Sequence, residues 1–558
     1  MTGIIKGAVF ALLLGAVSSI ASYGTTRPAA SCNTSDVQSA INSAAEGDTV
    51  TIPAGACTWT AGVTITGKGI TVTGAGSGRI VAYSVLSSAY TIGTGSKSIA
   101  ITGFSPGITS SVFTTGSTVK LFEDTDDTNV MTGTVTDYSS GTLTLNVSSA
   151  SGSCGNIASS NCKRWLVGTV PSSATVITNS GVATGGPLFA ITEDTSVHTN
   201  VGNIQFLAGT VSQNIFIISY AAGGQAVLLH DMWMQGNSNN PQPSSGNATM
   251  ILGNSPWRGV VWNCSFDAYP YTIAGMGAIS VQDKGNVTNS ASWTTASTWG
   301  SEDTTGQSNF YAETNDYHGM GYATSTDDSG RAVFRYSLYD NAGVATHGAD
   351  TSNYGQRYFE FYENTGLFQG YTDGTTFNFQ GWVYLRGGTF VIWGNTFPDV
   401  VSQDWGTKDN VNMTVMNLQR NQGPDPCWGA GFTTAGQYYH APRQVGFGYV
   451  TGTGTVTFPG LSLSNAHNDS MAYVGDSEPG YIWGNSTQPF DNVGLSDYGG
   501  TACTNPDSSS NYIISGRDYF NSSTAKPGYS PYTYPHPLTQ TTTTPPTPPT
   551  NVKAVSPP

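Results

Sequence analysis

Apolar residues recur along this chain in two periods. From Thr34 to Ala44, Val37, Ala40, Ile41 and Ala44 fall at helical spacing with Thr34 or Ser35 placed to cap the first turn, which predicts a short amphipathic helix. From Val50 onward the period drops to two. Val50 and Ile52, Val63 and Ile65, and Ile70 and Val72 alternate with Thr and Gly, while Pro53-Ala54-Gly55 and Gly67-Lys68-Gly69 interrupt them as turns. One helix followed by short, turn-separated strands is how a stacked solenoid shields its first coil from edge pairing.

The pattern then repeats. "VWNCSF" (Val261 to Phe266), "VFRYSL" (Val333 to Leu338), "FYENTG" (Phe361 to Gly366), "IWGNTF" (Ile392 to Phe397) and "LQRNQG" (Leu418 to Gly423) share an apolar residue, an often aromatic one, a turn position and a small polar residue. Aligned on the turn, Tyr336, Asn364, Asn395 and Asn421 lie 28, 31 and 26 residues apart, the period of one solenoid coil. Asparagines stacked at one turn position bond the turn's backbone and their neighbours, so Asn364, Asn395 and Asn421 are read as a structural ladder.

The opening "DVQSAINSAAEGDTVTIPAGACT" (Asp36 to Thr58) resembles the amino-terminal entry of the pectin-lyase-like right-handed parallel β-helix proteins. That resemblance implies an all-β, right-handed parallel β-helix with an N-terminal capping helix, acting on polysaccharide. Residues 31–109 are expected to hold the cap and first coils, and 171–515 the main body with long loops. Between them, 110–170 reads as antiparallel hairpins, with strict alternation in "GTLTLNVSS". It is similar to small β insertions of phage tail and other surface-acting proteins, and contact with a surface or glycan, or support of a long loop, is its expected task. The Tyr- and Pro-rich stretch 516–540 resembles the closing segment of some secreted β-helix proteins. It should lie extended along the body, with His536 structural. The Thr/Pro-rich 541–558 reads as an extended linker or disordered tail.

Composition narrows the partners. With 69 glycines, 10% charged residues and a formal charge of -15, the chain has no basic run to hold nucleic acid. "MTGIIKGAVFALLLGAVSSIAS" carries Lys6, an apolar run from Ala8 to Val17 and small residues at its end, so 1–21 reads as a signal peptide rather than a membrane span. A secreted or cell-surface monomer is expected. Of the seven cysteines, Cys32 is expected to pair with Cys57, Cys154 with Cys162 and Cys427 with Cys503, leaving Cys264 as a buried thiol.

Candidate chemistry concentrates in "TDDSGRAVFRYSLYDNAGVATHGAD" (Thr326 to Asp350). Asp327, Asp328 and Arg331 fall on one coil, His347, Asp350 and Arg357 on the approach to the next, and Arg386 on the one after. In β-elimination of a uronate polymer a cation must neutralise the carboxylate beside the proton being removed. Arg357 or Arg331, aided by His347, would neutralise or deprotonate. No metal motif of specific spacing is present, and calcium held by acidic residues is the one cofactor this chemistry admits. In hydrolysis Asp327 and Asp328 would serve as acid and base. An Asp pair followed by His347-Gly348 is distantly similar to polygalacturonase-type hydrolases, although Thr346 stands where the family has Gly and its Arg-x-Lys is missing. The stretch Asp327 to Gly330 is also a good turn in its own right. Further substrate contacts are expected from Arg386, Asp350, Tyr439, His440 and Arg443, and from sugar stacking on Trp233 and Trp299 in aromatic-rich loops. The expected activity is that of a polysaccharide lyase or glycoside hydrolase. The alternative is a non-catalytic glycan-binding or adhesive protein, or a phage-tail-like depolymerase or receptor-binding module.

Overall fold

A computed structural model describes residues 24–124, 126–154, 162–180, 186–207, 214–235, 249–254, 258–267, 277–282, 303, 305–327, 330–347, 356–368, 383–386, 388–396, 413–416, 445–446, 478–486, 493–496 and 514–540. The expected signal peptide, Asn421, the expected Cys427–Cys503 pair and the stretch after 540 lie outside these residues.

The chain winds into a parallel β-helix whose coils each give one short strand to three faces. Sheet I is 12-stranded and all parallel, running from Thr26–Pro28 through Thr71–Thr73, Val227–His230, Phe310–Glu313 and Arg331–Arg335 to Tyr519–Asn521. Sheet II stacks Gly55–Trp59, Thr175–Asn179, Gln205–Leu207, Trp233–Gln235 and Ser265–Asp267 in register. Sheet III stacks Val63–Ile65, Phe189–Thr192, Phe216–Ser219, Thr249–Asn254 and Gly277–Gln282. Sheets II and III merge where Asp316–Asp327 and Leu338–His347 run unbroken from one face into the next. Alternation explains the core. Inward residues stack on their equivalents one coil away, as in Phe189 on Phe216 (5.2 Å) and Phe266 on Tyr317 on Tyr339 (5.2 and 4.7 Å).

The corner from sheet I to sheet II sets the period. Asn203, Asp231, Asn263, Thr314, Tyr336, Glu363, Gly394 and Gly484 all have positive φ there, the left-handed kink that turns the chain. The residue after the kink makes the ladder. Asn364 Nδ2 donates to Phe334 O (3.1 Å) and to Asn395 Oδ1 (3.0 Å), and Asn395 Nδ2 donates to Phe361 O (3.0 Å) and to Asn485 Oδ1 (2.9 Å). The ladder therefore exists, with one correction. Tyr336 occupies the kink itself, equivalent to Glu363, and Ser337 is the equivalent of Asn364. Asn315 joins the ladder below, accepting from Cys264 N and donating to Val261 O, both at 2.9 Å.

The helix Thr34–Ser43 caps the first coil with Val37, Ala40 and Ile41 buried, its N-cap being Asn33, one residue before the expected cap. Disulfides join Cys32 to Cys57 and Cys154 to Cys162, and Cys264 is a buried free thiol. Among the described residues no helix is long and apolar enough to cross a membrane.

Between Gly74 and Thr175 a 7-stranded antiparallel sheet leaves the coil at the sheet I to sheet II corner. It is wider than the expected hairpins. Ile80–Val85 and Gly95–Ala100 belong to it, not to the first coils, because they pair antiparallel with Arg164–Val170 and Thr142–Ser151. This side sheet has its own core of Ile99, Val119, Leu121, Met131, Leu143, Leu145 and Trp165.

The closing segment does lie along the body, against the outer face of sheet I. Arg335, fully buried, pairs with Glu313 (2.7 Å) and donates to Tyr532 O (2.6 Å), Thr533 O (2.8 Å) and the Tyr362 hydroxyl (3.0 Å). His536 N donates to Glu313 Oε1 (2.9 Å) and the Tyr529 hydroxyl to Glu360 (2.6 Å). Burial, reinforced by the Arg335 charge, pushes the His536 imidazole down to about 3, so this histidine is a neutral part of the packing.

Candidate functional site

Parallel in-register strands carry equivalent positions up the solenoid as columns, one coil per ~4.8 Å. At the end of sheet III, Gln282 pairs with Asp327 and Asp327 pairs with His347 on the next coil. Val383 pairs with Val344 and Tyr384 with Ala345, and the same offset brings Arg386 level with His347. Three candidates, each 20 or 39 residues from the next in sequence, thus occupy one column on consecutive coils. The neighbouring column is inward, because Val281 and Leu385 are buried in the core and Thr326 is fully buried between them. The 327, 347 and 386 positions belong to the opposite, outer register. Two residues earlier on that outer register Ser280 and Ala345 are buried and Ser325 is half-buried.

The chain then turns from sheet III to sheet I, and here the arginines separate from the column. Arg331 opens the sheet I strand Arg331–Arg335 and is buried. Arg357 sits one coil above, its backbone N–H donating to Gly330 O (3.0 Å) and its guanidinium paired with Glu478 (2.9 Å) at 1% exposure. A guanidinium so enclosed cannot reach a polymer, which corrects its expected role as neutraliser or base. Arg386 ends the strand Val383–Arg386.

Trp233 is also corrected. Far from offering a platform for sugar, it is 1% exposed in sheet II and packed under Ile80, Phe122 and Leu166 of the side sheet. The unbroken apolar run Met232-Trp233-Met234 was the available sign of a strand buried on both faces. Asp328, Asp350, Trp299, Tyr439, His440 and Arg443 lie outside the described residues.

A second cluster escaped the sequence. His318 and Asp340 follow Asp267 on consecutive coils in one sheet II column, and the side sheet lowers Asp124 and Arg164 onto them. Arg164 Nη2 bridges Asp124 (2.5 Å) and Asp340 (2.6 Å), and the His318 ring lies 3.5 Å from Asp124 and 3.3 Å from Asp340. Among the described residues Asp124, His318 and Asp340 form a group of three metal-ligating side chains whose ligand atoms lie within 4.8 Å of one another. The donor set does not fit a metal ion, because the Arg164 guanidinium already spans both carboxylates and a second cation would be repelled there. It is a buried ion-pair network that clamps the side sheet to the solenoid. Nothing in 176 residues of separation between Arg164 and Asp340 marks the pair in sequence.

Burial raises the Asp124 carboxyl to about 7, only partly offset by Arg164. On His318 burial is outweighed by Asp340 and Asp124, and its imidazole is raised to about 9. Asp340 is held below its ordinary value because Arg164 and His318 outweigh the cost of burying it. Both raised groups bind their proton more tightly in the folded state, so their contribution is present at low pH and lost on the way up. For Asp124 the loss runs from about 4 to about 7, and for His318 from about 6.5 to about 9. The melting temperature is therefore expected to be lower at pH 9.5 than at pH 6, and His318→Asn should shrink that difference. Equal melting at both pH values in the unmodified protein would count against the clamp.

No family model matches this chain, and no curated protein is significantly similar to it. Among solved structures, the tailspike gp61 of Pseudomonas phage phi297 matches at 12% identity with a TM-score of 0.21, over 70% of this chain and 66% of that one. The chain thus spans just under two thirds of the tailspike's length. A likeness at this level says nothing of a shared activity.

Proposed function

We propose that this protein engages an acidic polysaccharide at the end of sheet III and cleaves it there. The observation that carries the reading is the pairing of Asp327 with His347 on adjacent coils, with Arg386 level on the next. A titratable base between a carboxylate and a fixed cation suits β-elimination. Arg386 would neutralise the uronate carboxylate, and His347 would take the neighbouring proton. Asp327 would keep the imidazole oriented. Hydrolysis by an Asp327–Asp328 pair is the competing chemistry at the same corner. The reading makes the protein a secreted glycan-degrading module, and the two disulfides are compatible with export.

The test follows ultraviolet absorbance of unsaturated uronate and, separately, new reducing ends on a panel of acidic polysaccharides. Elimination gives both signals and hydrolysis only the second. His347→Ala is expected to lower kcat/KM about a hundredfold, in the usual range for losing a general base. Retained activity in that variant would remove the site. Binding with neither signal would favour the second reading, a non-catalytic glycan-binding or receptor-binding module, to which the firmly clamped side sheet is suited.

A further inference from the structure

The side sheet presents two faces, and alternation assigns them. One covers its own core through Val119, Leu121, Val135, Leu143 and Leu145. On the other, Phe122, Leu166 and Ile80 pack on Trp233 of the solenoid, with Val130 beside them. Following that second face outward strand by strand gives Thr132 and Thr134, then Thr144 and Asn146, then Ser96 and Ser98. Thr134 pairs with Asn146 and Asn146 with Ser96, while Ser98 is opposite Thr144. Thr134, Asn146, Ser96 and Ser98 are exposed. The Ser98 and Thr144 hydroxyls lie 3.1 Å apart across the strands, which confirms that they share this face.

The face thus continues without a break from the interface with the solenoid onto three strands that project beyond it. Its surface is a lattice of short hydroxyl and amide groups, ~4.8 Å apart between strands and ~6.8 Å apart along them. On this face Asp124 and Arg164 are tied up in the seat on the solenoid and Lys120 lies at the root over the Phe122 ring, and among the described residues of the projecting strands the charge on it is Asp137 at the far end. Hydroxyls donate and accept at once, so they match sugar hydroxyls in any orientation, and short side chains lose little rotamer freedom on contact. A surface with almost no charge, in a protein of formal charge -15, also avoids both the desolvation of ions and the repulsion that an acidic chain would meet.

We propose that this projecting hydroxyl face is a binding surface for an uncharged polysaccharide chain, separate from the sheet III column and not dependent on the activity proposed for it. The side sheet is fastened to the solenoid by the Arg164 network and by Trp233, so glycan held on this face is held by the whole body.

Co-sedimentation of the full chain with insoluble cellulose, chitin and starch tests this. The unmodified protein is expected to sediment with at least one of them, and the double variant Thr134→Arg/Asn146→Arg to be retained at least tenfold less at an unchanged melting temperature. A double arginine control at exposed Ser523 and Thr524 should sediment like the unmodified protein. Failure of the unmodified protein to sediment with any of the three overturns the proposal. So does undiminished retention of the double variant, or an equal loss in the control, which would trace the effect to net charge. His347→Ala should leave sedimentation intact, so the two sites can fail separately.

Discussion

Arg335→Met is expected to unfasten the closing segment from sheet I and to cost about 3–5 kcal/mol, the range for breaking a buried ion pair from one side. The guanidinium has no exposure to water, and it meets Glu313, two carbonyl oxygens of the closing segment and the Tyr362 hydroxyl at 2.6 to 3.0 Å. It also lies 5.4 to 5.9 Å from the ring centres of Tyr311, Tyr532 and Tyr534. Methionine fills much of the volume but leaves Glu313 buried with a charge and no cation, and strands two carbonyls without a donor. Chemical denaturation should show the loss, and limited proteolysis should cut within 514–540 faster than in the unmodified protein. Adding Glu313→Gln should recover part of it, since a neutral side chain removes the orphaned charge. Unchanged stability and unchanged proteolysis would show that the segment is held by its aromatic packing alone.

Arg164→Met should have an effect of similar size, about 3–5 kcal/mol, located at the seat of the side sheet. Its removal leaves Asp124 and Asp340 sharing a dry site with His318 between them. Arg164→Lys is expected to rescue poorly, because one ammonium cannot span two carboxylates as the planar guanidinium does. Trp165 and Trp233, both buried on either side of this junction, provide the signal. Their fluorescence should shift at a lower denaturant concentration than the solenoid unfolds. Asp124→Asn added to Arg164→Met should restore part of the loss. A variant whose two transitions remain as in the unmodified protein would mean that Phe122 and Leu166 alone seat the sheet.

What could be read in the sequence follows from how local each signal is. The helix Thr34–Ser43 and the alternating strands are set by residues a few positions apart, and the asparagine ladder by a short motif recurring once per coil, so all three were legible. The one-residue error at Tyr336 arose because its aromatic ring fits the kink position only by virtue of a positive φ that Asn and Gly announce and Tyr does not. Trp233 looked like a loop aromatic because its partners Phe122 and Leu166 come from a sheet more than 60 residues earlier in the chain. The Asp124–Arg164–His318–Asp340 network was hidden for the same reason. The sheet III column was half legible. Sequence spacing gathered Asp327, His347 and Arg386 within a few coils, but only the strand register aligned them. Arg357 shared that spacing and fell one corner away, into an ion pair with Glu478.

The closing segment also fixes an order of events. Tyr529 rests by Glu360 and Trp393, Tyr534 by Tyr336, His536 by Glu313, and Pro537–Thr539 against Gly259–Trp262, so the segment retraces the solenoid from its late coils toward its early ones. A chain emerging from the ribosome lays down the aromatic outer face of sheet I well before the residues that cover it. Until residues 529–538 arrive, Tyr311 lacks the rings that cover it, and Arg335 and Glu313 lack the backbone groups of the closing segment that they meet. The middle coils that it covers therefore become fully native only after the last coil is laid down, and a chain halted short of its closing segment carries a sticky flank that quality-control factors can recognise.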